Sequence, residues 1–133
     1  LPGSWSRERQ LIRTPMQQGS IVTESVRGIS SHQDHPFIAL ADSSGSSDNS
    51  VIAQNLVYSG SFIAKAQMDQ FGRTRVAMGI HPDTFMWLLE PGESFTAPEV
   101  ICVYSDSGTD RMTAIYHDFY RNHLIRSPWK DAA

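Results

Sequence analysis

A mainly β fold, built from antiparallel strands and closed by one C-terminal α-helix, is the class this sequence predicts. Three observations predict it. Short apolar or alternating runs recur about eight times between clusters of turn-forming residues, the spacing expected of a β-sandwich. One stretch, residues 88–105 (LLEPGESFTAPEVICVYS), reads as two such runs joined by a tight loop. Finally, Met112, Ile115, Tyr116, Phe119, Tyr120, His123 and Leu124 recur with the 3.6-residue period of an amphipathic helix.

Composition sets the outer limits. A chain of 133 residues is one domain by length. With 40% hydrophobic and 19% charged residues it is globular, not disordered. A net charge of −3 argues against nucleic acid or an anionic membrane as partner. No apolar run approaches a bilayer span. Leu1-Pro2-Gly3 is followed by polar and charged residues, which is not a signal-peptide pattern; no compartment follows from this. Cys102 is the only cysteine, so neither an intrachain disulfide nor a cysteine-based zinc site is possible.

The elements follow in order. Residues 3–13 (GSWSRERQLIR) carry little apolar alternation and are read as a strand, with Arg7, Glu8 and Arg9 on a solvated face. From residue type alone Trp5 reads as a core aromatic. Residues 17–20 form a turn, and residues 20–27 alternate Val22 and Val26 with Thr23 and Ser25 as a strand. The loop 28–36 holds His32 and His35, too few ligands for a metal site. His32 and Gln33 are instead expected to hydrogen-bond the loop to nearby backbone. Residues 37–41 (FIALA) are a short apolar strand, expected to be covered on both faces. Residues 42–50 (DSSGSSDNS) form a solvent loop.

Residues 54–69 read as a hairpin. Leu56 and Tyr58 lead to a turn at Ser59-Gly60. Phe62, Ala64, Ala66 and Met68 then share one face, with Lys65, Gln67 and Asp69 on the other. Residues 70–73 turn the chain, and Val76, Met78 and Ile80 continue the sheet. His81, before Pro82, reads as a loop residue without catalytic role. Phe85, Trp87 and Leu89 alternate as an inner strand, Pro91 and Gly92 set a turn, and residues 100–104 form a second inner strand. Within it Cys102 is expected to be a buried small hydrophobe. The closing helix spans about residues 109–125. Ser107 with Asp110 makes a capping-box-like start, and Arg126-Ser127-Pro128 stops it. His117 lies off the apolar stripe and His123 at its edge.

Several uncommon strings occur along the chain: GSWSRERQ (3–10), SSHQDHPFIAL (30–40), NLVYSGSF (55–62), QFGRTRV (70–76) and LEPGESFTAPEVICVYS (89–105). In this order they resemble the family 36 α-galactosidases, whose motifs G-x-W-x-R-E, R-G-x-S-S-H-Q and L-V-Y-S-G-x-F they match. Two places depart from the family. Asp34-His35 stands where His-Asn is usual, and His81-Pro82-Asp83-Thr84-Phe85 replaces N-P-F-D-F.

The resemblance implies more than the residues do. Residues 1–107 would be part of an N-terminal antiparallel β-supersandwich, and residues 108–133 a helix and linker leading to a (β/α)8 catalytic barrel absent from this chain. The implied activity is hydrolysis of terminal α-galactosides of the melibiose or raffinose type, with retention. The family's nucleophile and general acid/base are aspartates of that barrel. This chain would therefore hold no catalytic residue, no cofactor and no metal, and be inactive alone. Trp5, in the motif tryptophan position, is expected to touch the substrate. The implied partners are the barrel of the same protein, the α-galactoside and further copies in a homo-oligomer, most simply a tetramer. Two rival readings stand beside this one. One is a stand-alone carbohydrate-binding module using Trp5, Phe71 and Trp129 as its platform; the other is a purely structural sandwich.

Overall fold

The computed structural model describes residues 11–30, 34–42 and 50–127. Among them are six strands: β1 (Gly19–Ser25), β2 (Phe37–Ala41), β3 (Val51–Leu56), β4 (Phe62–Met68), β5 (Thr74–Ile80) and β6 (Val100–Ser105). A short 3-10 helix (Pro82–Thr84) follows β5, and helix α1 (Gly108–Phe119) follows β6. The chain divides into two compact units, one made of Leu1–Ile38 and Asn55–Ile101, the other of Ala39–Gln54 and Cys102–Ala133. The mainly antiparallel β class with one C-terminal helix is what the sequence predicts.

In the first unit the order is β1-β4-β5, with both pairs antiparallel. β4 is central because its alternation is cleanest: Phe62, Ala64 and Ala66 are buried, and the residues between them are less so. Period-two alternation places those three on one face. Its register sets Phe62 opposite Ser25 on one side and Ile80 on the other. The β4–β5 turn is held by Asp69. Its carboxylate accepts the Phe71 and Arg73 N–H groups at 2.8 and 2.9 Å, and the Arg73 guanidinium at 2.9 Å. These bonds, led by that from the Arg73 N–H, hold the Asp69 carboxyl below the usual carboxylate range. Gly72 supplies the φ of +76° that the turn requires.

The other sheet has the order β2-β3-β6. Asp42 N–H bonds Ser50 O and Leu56 N–H bonds Pro36 O, so one strand's numbers fall as the other's rise. That is antiparallel pairing. In the second unit Val51, Ala53, Val103, Met112 and Tyr116 are buried. Burial raises the Tyr116 phenol well above its ordinary range, with the nearby Tyr120 and Cys102 adding to the shift.

Several sequence expectations change. Residues 54–69 are not a hairpin, because β3 and β4 belong to different sheets. The connection spends its backbone groups elsewhere: Val57 N–H on Glu99 O and Ser59 O on Ser30 N–H. Residues 85–89 are not a strand. Pro91-Gly92 does make the expected turn, with Glu93 N–H on Glu90 O at 3.0 Å and Gly92 at φ +89°. β2 is only half-buried, not covered on both faces. Cys102 is exposed, because the alternation of β6 turns Val103 and Ser105 inward instead. Gly19 and Ser20 already belong to β1, and residues 11–13 are not strand; the rest of the proposed first strand lies outside the described residues.

Helix α1 begins one residue earlier than expected, and its start is not a capping box. Ser107 donates its hydroxyl to Asp106 Oδ1 and accepts no helix N–H. Ser105 does the local work, donating to Gly108 O at 2.9 Å and accepting from Ser107 N–H. The apolar stripe is buried at Met112 and Tyr116. The last turn widens over Tyr120–Leu124, where Ile125 N–H reaches back to Tyr120 O at 2.8 Å. His123 and Leu124 are exposed there, and His117 is exposed as expected.

Candidate functional site

Three separated stretches that carried sequence motifs meet in the first unit. They are the loop after β1, the connection into β4, and the turn after β5. Gly28 N–H donates to Ser61 Oγ at 2.9 Å, Ser30 N–H to Ser59 O at 2.7 Å, and His81 N–H to Ser61 O at 3.0 Å. Ser25 Oγ donates to Ile29 O at 2.8 Å and closes the first loop. Gly28 has φ +78°, which a residue with a Cβ rarely adopts. Ser61 is thus tied to two of the three stretches, one by its hydroxyl and one by its carbonyl. It is buried, and both of these groups are satisfied.

Together they wall an open cavity of 230 Å³. It is lined by the apolar residues Val26, Ile80 and Phe85 and by Gly28, Tyr58, Ser61 and Thr84. No carboxylate, imidazole, amine or thiol is among these lining residues, so a Ser or Thr hydroxyl there has no such base in the lining to activate it. Tyr58 lies against Gly60: a Cβ there would meet the ring and its hydroxyl at 2.5 Å. The glycine of the Tyr58-Ser59-Gly60 string is therefore fixed by close approach.

His81 was expected to be an ordinary loop residue, and it is a structural one. It is 4% exposed and N-caps the short helix: its Nδ1 accepts the Asp83 N–H at 3.3 Å. That bond puts the imidazole proton on Nε2, which faces Glu24 Oε2 at 3.3 Å. An asparagine, usual at this position in the resembling family, caps a helix through its side-chain oxygen. Histidine does so here through a ring nitrogen. The sequence carried the signal, a polar residue directly before Pro at a helix start.

Phe85 leaves the cavity and joins a second feature. Its ring lies 6.5 Å from Trp87 and 5.3 Å from Phe95, and Trp87 is 5.3 Å from Phe95. These residues are exposed, as are Met86, Leu88 and Leu89.

Trp5, the substrate contact expected from the sequence, lies outside the described residues, as do His32, Gln33 and Trp129. Phe71 is exposed, but Arg73 sits over its ring at 5.4 Å, so one aromatic face is taken. Asp34 accepts from Thr23 Oγ1 at 3.5 Å. Among the described residues no group of three or more His, Cys, Asp or Glu comes together as a metal site. No helix among them is long and apolar enough to cross a membrane.

Comparison with known proteins places these features. The glycosyl hydrolase family 36 N-terminal domain matches residues 1–90, and the melibiase family matches residues 94–133. The α-galactosidase AgaA of Geobacillus stearothermophilus is 50% identical over 132 residues, which is 98% of this chain and 18% of that protein. The bifunctional α-galactosidase/sucrose kinase AgaSK of Mediterraneibacter gnavus is 41% identical over 129 residues, 96% of this chain and 14% of that protein. A crystal structure of an AgaA variant in complex with stachyose superposes with a TM-score of 0.93 at 49% identity, over 98% of this chain and 18% of that one. The chain thus spans less than a fifth of the length of these relatives.

Proposed function

This chain belongs to glycosyl hydrolase family 36, as the match to that family's N-terminal domain over residues 1–90 shows, and from that premise we propose that it is the non-catalytic β-sandwich portion of a retaining α-galactosidase. The enzyme hydrolyses terminal α-galactosides of the melibiose and raffinose type. The observation that carries this reading is the 50% identity, over nearly the whole chain, to an α-galactosidase. Solved structures of AgaA variants with stachyose and with raffinose support the substrate class. The two aspartates that retention requires belong to the barrel of such an enzyme, not to this chain.

Within that enzyme, residues 1–107 form part of the sandwich and residues 108–133 the helix and linker into the barrel. The sandwich supports the barrel and contributes to a homo-oligomer, most simply a tetramer. Trp5 belongs to the rim of the substrate pocket, where its indole offers an apolar face to sugar C–H groups and one N–H to a hydroxyl. The test uses Trp5→Ala in the full-length enzyme with p-nitrophenyl α-galactoside. The expected result is kcat/KM lowered by about ten- to a hundredfold, the scale of a lost aromatic contact, at an unchanged melting temperature. A large fall in melting temperature with unchanged kinetics assigns Trp5 to the core and overturns the rim role. Titration of this chain alone with galactose and melibiose separates the rival: heat of binding would make it a carbohydrate-binding module.

A further inference from the structure

His81 holds two partners at once, and only one of them tolerates a further proton. The ring is buried, with 5% of its side chain exposed. Its Nδ1 accepts the Asp83 N–H, and its Nε2 faces Glu24 Oε2, both at 3.3 Å. Accepting at Nδ1 requires a neutral ring. A proton on Nδ1 makes both ring nitrogens donors, so the ring and the Asp83 N–H would then meet donor to donor. The Glu24 contact behaves in the opposite way, because the charged ring gives the carboxylate a cation to pair with. One proton thus strengthens one bond and removes the other.

The sheet brings the pair together. Glu24 on β1 lies opposite Ile63 on β4, and Ile63 opposite Gly79 on β5. Glu24 therefore reaches across the central strand to a ring that directly follows β5. Period-two alternation puts Lys65 and Arg75 on the same face, further along β4 and β5. Asp83 is the carboxylate of the ring's own turn. What the ring holds is a wall of the cavity. Asp83 is followed at once by Thr84 and Phe85, which both line it. Phe85 also packs on Trp87 and Phe95, at 6.5 and 5.3 Å. His81 O accepts from Thr84 N–H and Thr84 Oγ1, bonds that need no particular charge on the ring. Loss of the Asp83 bond would thus loosen the turn without unravelling it.

We propose that His81 is a pH-operated catch on the turn after β5. Neutral, it caps the short helix through Asp83 and holds Thr84 and Phe85 at the cavity; protonated, it keeps Glu24 and releases Asp83. The test is hydrogen–deuterium exchange of the full-length enzyme, read by mass spectrometry over residues 82–89 and corrected for the intrinsic effect of pH on exchange. At about pH 8 the wild type and His81→Asn are expected to be equally protected, since asparagine caps through its side-chain oxygen. At about pH 5, the low end of the range in which histidine titrates, the wild type is expected to lose about fivefold in protection, the scale of one hydrogen bond, while His81→Asn keeps it. Residues 62–68 of β4 are expected to stay unchanged in both, which excludes general unfolding in acid. In Glu24→Gln the ring loses its anion, so the same loss is expected only at lower pH. The Glu24 side chain is 51% exposed, so this variant tests the catch even where His81→Asn does not fold. Equal protection of the wild type at both pH values overturns the proposal. So does the same loss in His81→Asn, or a loss in Glu24→Gln at the wild-type pH. Exchange alone decides it, so its failure leaves the α-galactosidase reading intact.

Discussion

β4 and residues 85–89 look alike in sequence and fold differently. Each sets apolar residues at every second position over five residues, Phe62-Ala64-Ala66 in one and Phe85-Trp87-Leu89 in the other. β4 has β1 on one side and β5 on the other, and its apolar face is buried. Residues 85–89 form no strand, and every one of them is exposed. Alternation states which side chains lie together; it does not supply a neighbour to bond the backbone. The composition of the two segments differs in a way that matters. β4 carries Lys65 and Gln67 between its buried residues, so one face is fit for water. Residues 85–89 offer Met86 and Leu88 there, so both faces are apolar. A segment apolar on both faces needs cover on both, and the described residues provide neither.

The largest effect expected from breaking this contrast is at Phe62. It is fully buried at the start of β4, and Phe62→Ala leaves a large void. A loss of about 3–5 kcal/mol in folding stability is expected, read from urea unfolding of the purified chain. A loss below about 1 kcal/mol would mean that β4 is not the centre of its unit.

A smaller effect is expected at the entry to β4. Gly60→Ala drives a methyl group into the Tyr58 ring, which must swing away. The expected cost is about 1–2 kcal/mol. In a Tyr58→Ala background the same change should become nearly neutral, because the ring that it meets is gone. Additive costs in the double-mutant cycle would show that the close approach is not the reason for glycine here.

Much of this was legible in the sequence, and the failures share a cause. β2, β4, β5, the 70–73 turn and the helix stripe depend on neighbours within a few residues, and the pattern gave them. β3 pairs with β2 and β6 rather than with β4, and beside it Val57 bonds Glu99, a partner far along the chain. Nothing local distinguishes that from a hairpin. The cavity could be guessed only as motifs. Gly28, the 55–62 string and His81 stood out separately, but their meeting at Ser61 is a fact of topology. Cys102 was misplaced because either face of a short apolar strand reads as inward until its partners are known.

Leu88→Ala is expected to have the smallest effect, and its size depends on context. Full burial of a leucine side chain contributes about 1.5–3 kcal/mol. Leu88 is 78% exposed in this chain, so only a small part of that is at stake. The change should therefore alter the stability of this chain by no more than about 0.5 kcal/mol. The same substitution in the full-length enzyme is expected to cost more, about 1–3 kcal/mol, if other parts of the enzyme bury what this chain leaves in water. Phe62→Ala should show no such difference, since Phe62 is already buried within its own unit. Urea unfolding of both proteins, with and without each change, reads the comparison directly. Equal costs for Leu88→Ala in the two contexts would leave residues 85–89 without a covering partner, and their exposure would then need another explanation.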